Sequence, residues 1–150
     1  MSISKPTVGG LNYPARVDAA VDALNAQGIT FPFACDTLAI GGATRYLRHG
    51  AAETTEAIAY FTCPYDGYVN KVILQSGGTP GSGQTYTLTM RKNAADQSMT
   101  GQITNGNFSV TITTNAFAVA AGDVLAVKLV GSASAASSSF RGCVVVQPFA

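Results

Sequence analysis

Apolar and polar residues alternate along most of this chain with a period of two. Tyr86, Leu88 and Met90 alternate with Thr85, Thr87 and Thr89. Phe108, Val110 and Ile112 alternate with Ser109, Thr111 and Thr113, and Leu125, Val127 and Leu129 interleave with Val124, Ala126, Lys128 and Val130. That period places successive side chains on opposite faces and marks a β-strand. Runs of this kind predict strands near residues 38–47, 57–62, 67–75, 84–92, 98–104, 107–113, 123–131 and 140–147. Turn residues separate them: Pro64-Tyr65-Asp66-Gly67, the glycine-rich stretch 77–83, Asn105-Gly106, Gly122-Asp123 and the small-residue stretch 131–139. Asn-Gly between two alternating runs is a strong hairpin signal, so the strands at 98–104 and 107–113 are expected to pair.

Near the N-terminus the period changes. Val17, Val21 and Leu24 fall at i, i+4 and i+7 with Ala20 between them. This single apolar stripe predicts a helix over 14–27, begun by Pro14 and stopped by Gly28. A helix of about 14 residues is marginal in water and must dock on the β body or on a neighbouring subunit. Residues 1–12 read as an arm, broken by Pro6, Gly9 and Gly10, with Ile3, Val8 and Leu11 as apolar anchors that could contact a partner surface. Residues 29–37 are expected to form a connector, because Pro32 cannot sit in a central strand. The chain thus divides into an arm, helix and connector over 1–37 and a β domain over 38–150. About eight short strands with one peripheral helix predict a mainly β fold, an antiparallel β-sandwich. Jelly roll is the topology with the matching strand count. An immunoglobulin-like sandwich is the alternative, without its hallmark tryptophan, since the chain has none.

Charge sharpens the picture. Charged residues make up 11% of the 150 residues, against a usual value of about 25%, and the net charge is +1. Near-zero net charge promotes association. The outward strand positions carry Thr, Ser or aliphatic residues rather than Lys or Glu. They are therefore expected to meet other protein, in an obligate oligomer or a larger assembly. Arg45, Arg48 and His49 cluster but are too few for nucleic-acid binding. No apolar run approaches the about 18 residues needed to span a membrane, and the first residues lack the apolar core of a signal peptide.

The inventory for chemistry is sparse. Cys35, Cys63 and Cys143, odd in number and widely spaced, read as free buried thiols of a reducing cytoplasm rather than a disulfide framework. His49, the single histidine, has no neighbours for a zinc set and no nucleophile motif to serve. Ser137, Ser138 and Ser139 read as loop filler. The 77–83 loop lacks the lysine and following helix of a phosphate cradle. Glu53 and Glu56 lie in a polar loop, while Asp66, Asp96 and Asp123 sit at turns without calcium-loop spacing. No enzymatic activity, cofactor or metal is expected. Tyr60, Phe61, Tyr65 and Tyr68 gather around one turn; they fill the core, or Tyr60, Tyr65 and Tyr68 stack a sugar at a glycan-binding tip.

Two stretches carry a resemblance. Thr85–Asp96, a strand ending in Lys-Asn-Ala, and Phe117–Leu129, with an Ala-Gly-Asp turn opening its strand, resemble the jelly-roll domains of tailed-bacteriophage virion proteins; Gly67–Leu74 fits an early strand of that pattern. The resemblance covers about residues 57–147 and consists of strands and turns. Trimeric sandwiches of the complement C1q and tumour-necrosis-factor type share it. Within the phage class, a chain of this size is most similar to capsid decoration, or cement, proteins. The resemblance implies a homotrimer, made in the host bacterial cytoplasm, that binds the major capsid protein on the outside of the head. Tail-fibre tips use similar domains, usually joined to a fibrous shaft, and this chain shows no heptads or collagen repeat.

Overall fold

The computed structural model describes residues 28–149. In chain order the strands among them are β1 (Ile29–Leu38), β2 (Thr44–Arg48), β3 (Ala51–Glu53), β4 (Tyr60–Thr62), β5 (Gly67–Ser76), β6 (Thr85–Lys92), β7 (Ala95–Thr104), β8 (Ser109–Ile112), β9 (Phe117–Val119), β10 (Val124–Gly131) and β11 (Ser138–Pro148). All pairings are antiparallel. They form two sheets. The first runs β1-β11-β5-β8, with β9 beside β5; the second runs β3-β2-β10-β6-β7, with β4 beside β10. The fold is a β-sandwich, as the alternation requires. The arm residues Ile3, Val8 and Leu11 and the helix expected over 14–27 lie outside the described residues.

The inward positions of both sheets merge into one core. Phe33, Val69, Val72, Leu74, Phe140, Val144 and Val146 from the first sheet meet Leu47, Leu88, Met90, Met99, Leu125, Val127 and Leu129 from the second. Each fully buried side chain of this size contributes about 1.5–3 kcal/mol relative to exposure. Tyr86 is wholly buried, and its hydroxyl donates to the Ala136 carbonyl at 2.8 Å. Its ring meets Phe140 edge-on at 4.9 Å, which joins the sheets.

Two expectations change. Residues 29–38 are not a connector but a ten-residue strand. Pro32 is tolerated because β1 is an edge strand paired only with β11, where a missing ladder donor costs little. The Asn105-Gly106 signal does make a tight turn, with the Asn107 amide donating to the Thr104 carbonyl at 3.0 Å and Gly106 at φ +87°. The flanking strands nevertheless do not pair: β7 pairs with β6 and β8 with β5. The turn is a corner that carries the chain from one sheet to the other, so that Ile103 and Ile112 enter the same core from opposite sides. The adjacent β6–β7 hairpin closes instead through Asn93 and Ala94, at φ 48° and 64°, the two positive values that a type I′ turn needs.

Candidate functional site: an apolar groove at the seam of the sandwich

One seam of the sandwich stays open. Along it the edge strand β1 of the first sheet faces β2 and β4, which lie end to end on one side of β10 in the second. Between them runs a groove of about 450 Å³, within the usual range for ligand sites. Its floor is the buried pair Phe33 and Leu47. Phe31 of β1 stacks on Phe61 of β4 with centroids 4.4 Å apart and planes 17° from parallel, so an aromatic bridge crosses the seam. Ile58 and Tyr60 form the outer lip and are 61% and 51% exposed, which is unusual for side chains of this type. Arg48 and His49 supply the polar rim.

Local structure sets this lip. After β2 the chain reverses at Gly50, at φ +80°, and β3 returns beside β2, with Arg48 paired to Glu53 at 2.7 Å. A 3-10 turn, Glu56–Ile58, then lifts Ile58 outward. The Arg91 guanidinium of β6 holds that turn through Glu56 at 2.8 Å and also pairs with Asp96, which in turn pairs with Lys128. Arg91 lies 5.9 Å from the centre of the Tyr46 ring. These groups converge on the outside of the second sheet, which corrects the expectation of uncharged strand exteriors there. Lys128 and Arg91 hold the Asp96 carboxyl below the usual carboxylate range. Hydrogen bonding to Glu56 is the main reason that the Arg91 guanidinium holds its proton more tightly than usual.

The first sheet presents a different exterior. Register places Pro32, Cys143, Ile73 and Thr111 side by side across its four strands, with Val145 in the adjacent row. That row is uncharged. Lys71 and Arg141 flank it, and Arg141 donates to the Gln75 side-chain carbonyl at 3.0 Å.

The three candidate tyrosines are not brought together. Tyr60 stands at the groove. Tyr68 lies on the outer face of the first sheet, 46% exposed, edge-on to Phe149 at 4.6 Å. The Tyr65 hydroxyl accepts from the Ile29 amide at 2.9 Å and donates to the Val146 carbonyl at 2.8 Å, and so ties the start of β1 to β11. Asp123 makes the local contact expected at a turn, with Ala120, whereas Asp66 reaches a turn distant in the chain. Asp123 accepts from the Ala120 amide at 2.9 Å and from the Asn93 side chain at 2.8 Å, contacts that hold its carboxyl below the usual range. Asp66 accepts from the Ala121 amide at 2.8 Å. Asp96 differs, since it sits within β7 and serves the ionic cluster.

Cys35 and Cys63 are buried, Cys143 is half-buried, and all three are free thiols. Burial, aided by Asp123, pushes the Cys63 thiol up to about 11. Among the described residues no group of three or more His, Cys, Asp or Glu side chains is placed to hold a metal ion, and no helix is long and apolar enough to cross a membrane. No protein-family model matches the chain, and no curated protein matches it.

The groove residues Phe31, Phe33, Leu47, Ile58 and Phe61 were not expected as a site. The available signal was the alternation Ile29, Phe31, Phe33, Cys35, which reads as a strand once Pro32 is allowed an edge.

Proposed function

We propose that this chain is a structural virion protein: a homotrimeric jelly-roll domain that decorates the outer surface of a phage head, binds the major capsid protein and stabilises the shell. The strand order carries the reading. Numbering the principal strands β1, β2, β5, β6, β7, β8, β10 and β11 from one to eight, the sheets run 1-8-3-6 and 2-7-4-5. This order matches the winding of a jelly roll and so supports the architecture that the sequence resemblance implies. The uncharged row Pro32, Cys143, Ile73 and Thr111 supports self-association, since an uncharged stripe on a sheet exterior is suited to cover by a like copy. The reading asks no chemistry, cofactor, nucleic acid or membrane of the chain. Decoration would act by mass action: a ligand that binds only the assembled lattice stabilises it, and three simultaneous weak contacts give avidity.

Light scattering should give three chain masses in solution, and the protein should co-sediment with expanded, undecorated heads. A monomer at micromolar concentration that stays in the supernatant while the heads pellet would defeat the reading. Removing residues 1–12, with the apolar anchors Ile3, Val8 and Leu11, should weaken head binding while leaving the β-sheet circular dichroism signal unchanged, which would assign the contact to the arm.

A second reading, a receptor- or glycan-binding tip of a tail fibre, draws on the exposure of Tyr60 and Tyr68. It requires glycan-array binding that disappears in Tyr60→Ala or Tyr68→Ala, with no affinity for heads.

A further inference from the structure

The seam groove is apolar inside, and its lip residues Ile58 and Tyr60 stand in water among the described residues. The place where the chain joins the β body lies beside it. Residues 1–27 connect at Gly28 to β1, the strand whose Phe31, Pro32 and Phe33 form one wall. This junction is fixed. A Cβ at Gly28 would stand 2.7 Å from the Val146 carbonyl oxygen, so the backbone is pressed against β11, and the next amide is held by the Tyr65 hydroxyl. The preceding segment, 14–27, has Val17, Ala20, Val21 and Leu24 at the spacing that a helix would gather into one stripe, and such a stripe needs a surface to cover it. On that helix Asp18 and Asp22 would flank the stripe on one side, facing His49 and the Arg48 guanidinium, which already pairs with Glu53, on the groove rim.

We infer that residues 14–27 pack as an amphipathic helix into the seam groove of their own chain, with Val21 and Leu24 against Ile58, Tyr60 and Phe61. The chain would reverse between Leu24 and β1, with glycine at position 28 admitting the close approach to the Val146 carbonyl. Because only Gly28, Ile29 and Thr30 separate the segment from the groove wall at Phe31, the local concentration of this occupant exceeds that of a competing segment on a second copy. The lip would then be an intramolecular interface, with Tyr60 covered rather than offered to a sugar. The inference stands apart from the virion reading, since it concerns how one chain closes its own sandwich.

The test uses the full chain with Cys143→Ser, Leu24→Cys and Ile58→Cys, oxidised at low micromolar concentration and analysed by non-reducing electrophoresis and intact mass. The expected product is a single chain lighter by two hydrogens that migrates faster than its reduced form. A control pairing Leu24→Cys with Thr111→Cys, at the far edge of the first sheet, should give no such product. Disulfide-linked dimers in place of the internal bond would assign the groove to a second copy and overturn the inference. So would the absence of any bond in the Leu24–Ile58 pair. Urea unfolding of Leu24→Asp, Ile58→Asp and the double variant gives an independent reading. A shared contact makes the double variant's midpoint fall no further than that of the more damaging single variant, whereas additive shifts would overturn it.

Discussion

At the scale of single residues, the side chains with the most ordinary sequence context carry the most specific tasks. Tyr65 belongs to a turn by composition, yet its hydroxyl stands between the Ile29 amide and the Val146 carbonyl as the first link of the β1–β11 ladder. Tyr65→Phe leaves both backbone groups without that partner. It should cost about 1–3 kcal/mol, seen as a lower urea midpoint at unchanged slope. The cysteines make a second prediction. With Cys35 and Cys63 buried and Cys143 half-buried, a thiol reagent should modify one cysteine of the native chain rapidly and all three after unfolding. Cys63 also sets a pH dependence. Its folded pKa, about 11, lies above its ordinary value of 9.0 because the buried thiolate is desolvated. The folded state therefore holds this proton more tightly than the unfolded state does. The resulting stability is complete below about pH 9 and is lost as pH rises towards 11. Cys63→Ala should flatten that alkaline decline in denaturation series across this range.

Among the elements, period and punctuation made the long strands legible. β5, β6, β10 and β11 stand close to their expected bounds because each has one face in the core and alternates accordingly. Short or peripheral elements were not legible for a shared reason: their residues are placed by partners distant in the chain. β3, Ala-Ala-Glu, is too short to show a period and becomes a strand only because β2 offers an edge, and β1 was masked by a proline that its edge position tolerates. The sheet-to-sheet corner at Asn105-Gly106 has the local chemistry of a hairpin, and only the demand that Ile103 and Ile112 share one core splits its arms. The seam groove draws on β1, β2, the 3-10 turn and β4, and no local pattern announces such a meeting. Two predictions belong to this scale. Ala94 sits at φ 64° in the β6–β7 turn, where glycine is free of the Cβ penalty. Ala94→Gly should therefore raise stability by up to about 1 kcal/mol, the relief being partly offset by greater freedom of the unfolded chain. Asp96 joins β7 to β6 and β10 through Arg91 and Lys128, but its side chain is 46% exposed. Asp96→Asn should cost less than about 1 kcal/mol at neutral pH, and the cost should shrink with added salt. Its folded pKa lies below 3.8, so the contribution is full above that pH and should vanish as pH falls through and below it.

For the whole molecule, the contrast between the two exteriors matters most. The second sheet wears an ionic cluster anchored on Arg91, whereas the first carries the uncharged row through Cys143 and Ile73. On the proposed reading, self-association uses the first sheet. Ile73→Lys should then convert the oligomer to a folded monomer, with the scattering mass falling to one chain and the β-sheet circular dichroism spectrum retained. An unchanged mass would direct attention to another face. A different consequence follows from how β1 and β11 run side by side. Ile29 lies opposite Val146, and the Phe149 amide donates to the Asp66 carbonyl at 3.3 Å, next to the start of β5. The first and last described residues thus leave the sandwich from the same pole, while the glycine-rich loop after Ser76 sits at the other. A cargo domain joined at Gly28 or at Phe149 would project from that shared pole and leave the far loops unobstructed. A circular permutant that joins the two ends and reopens the backbone between Gly81 and Gly83 would keep every strand pairing intact.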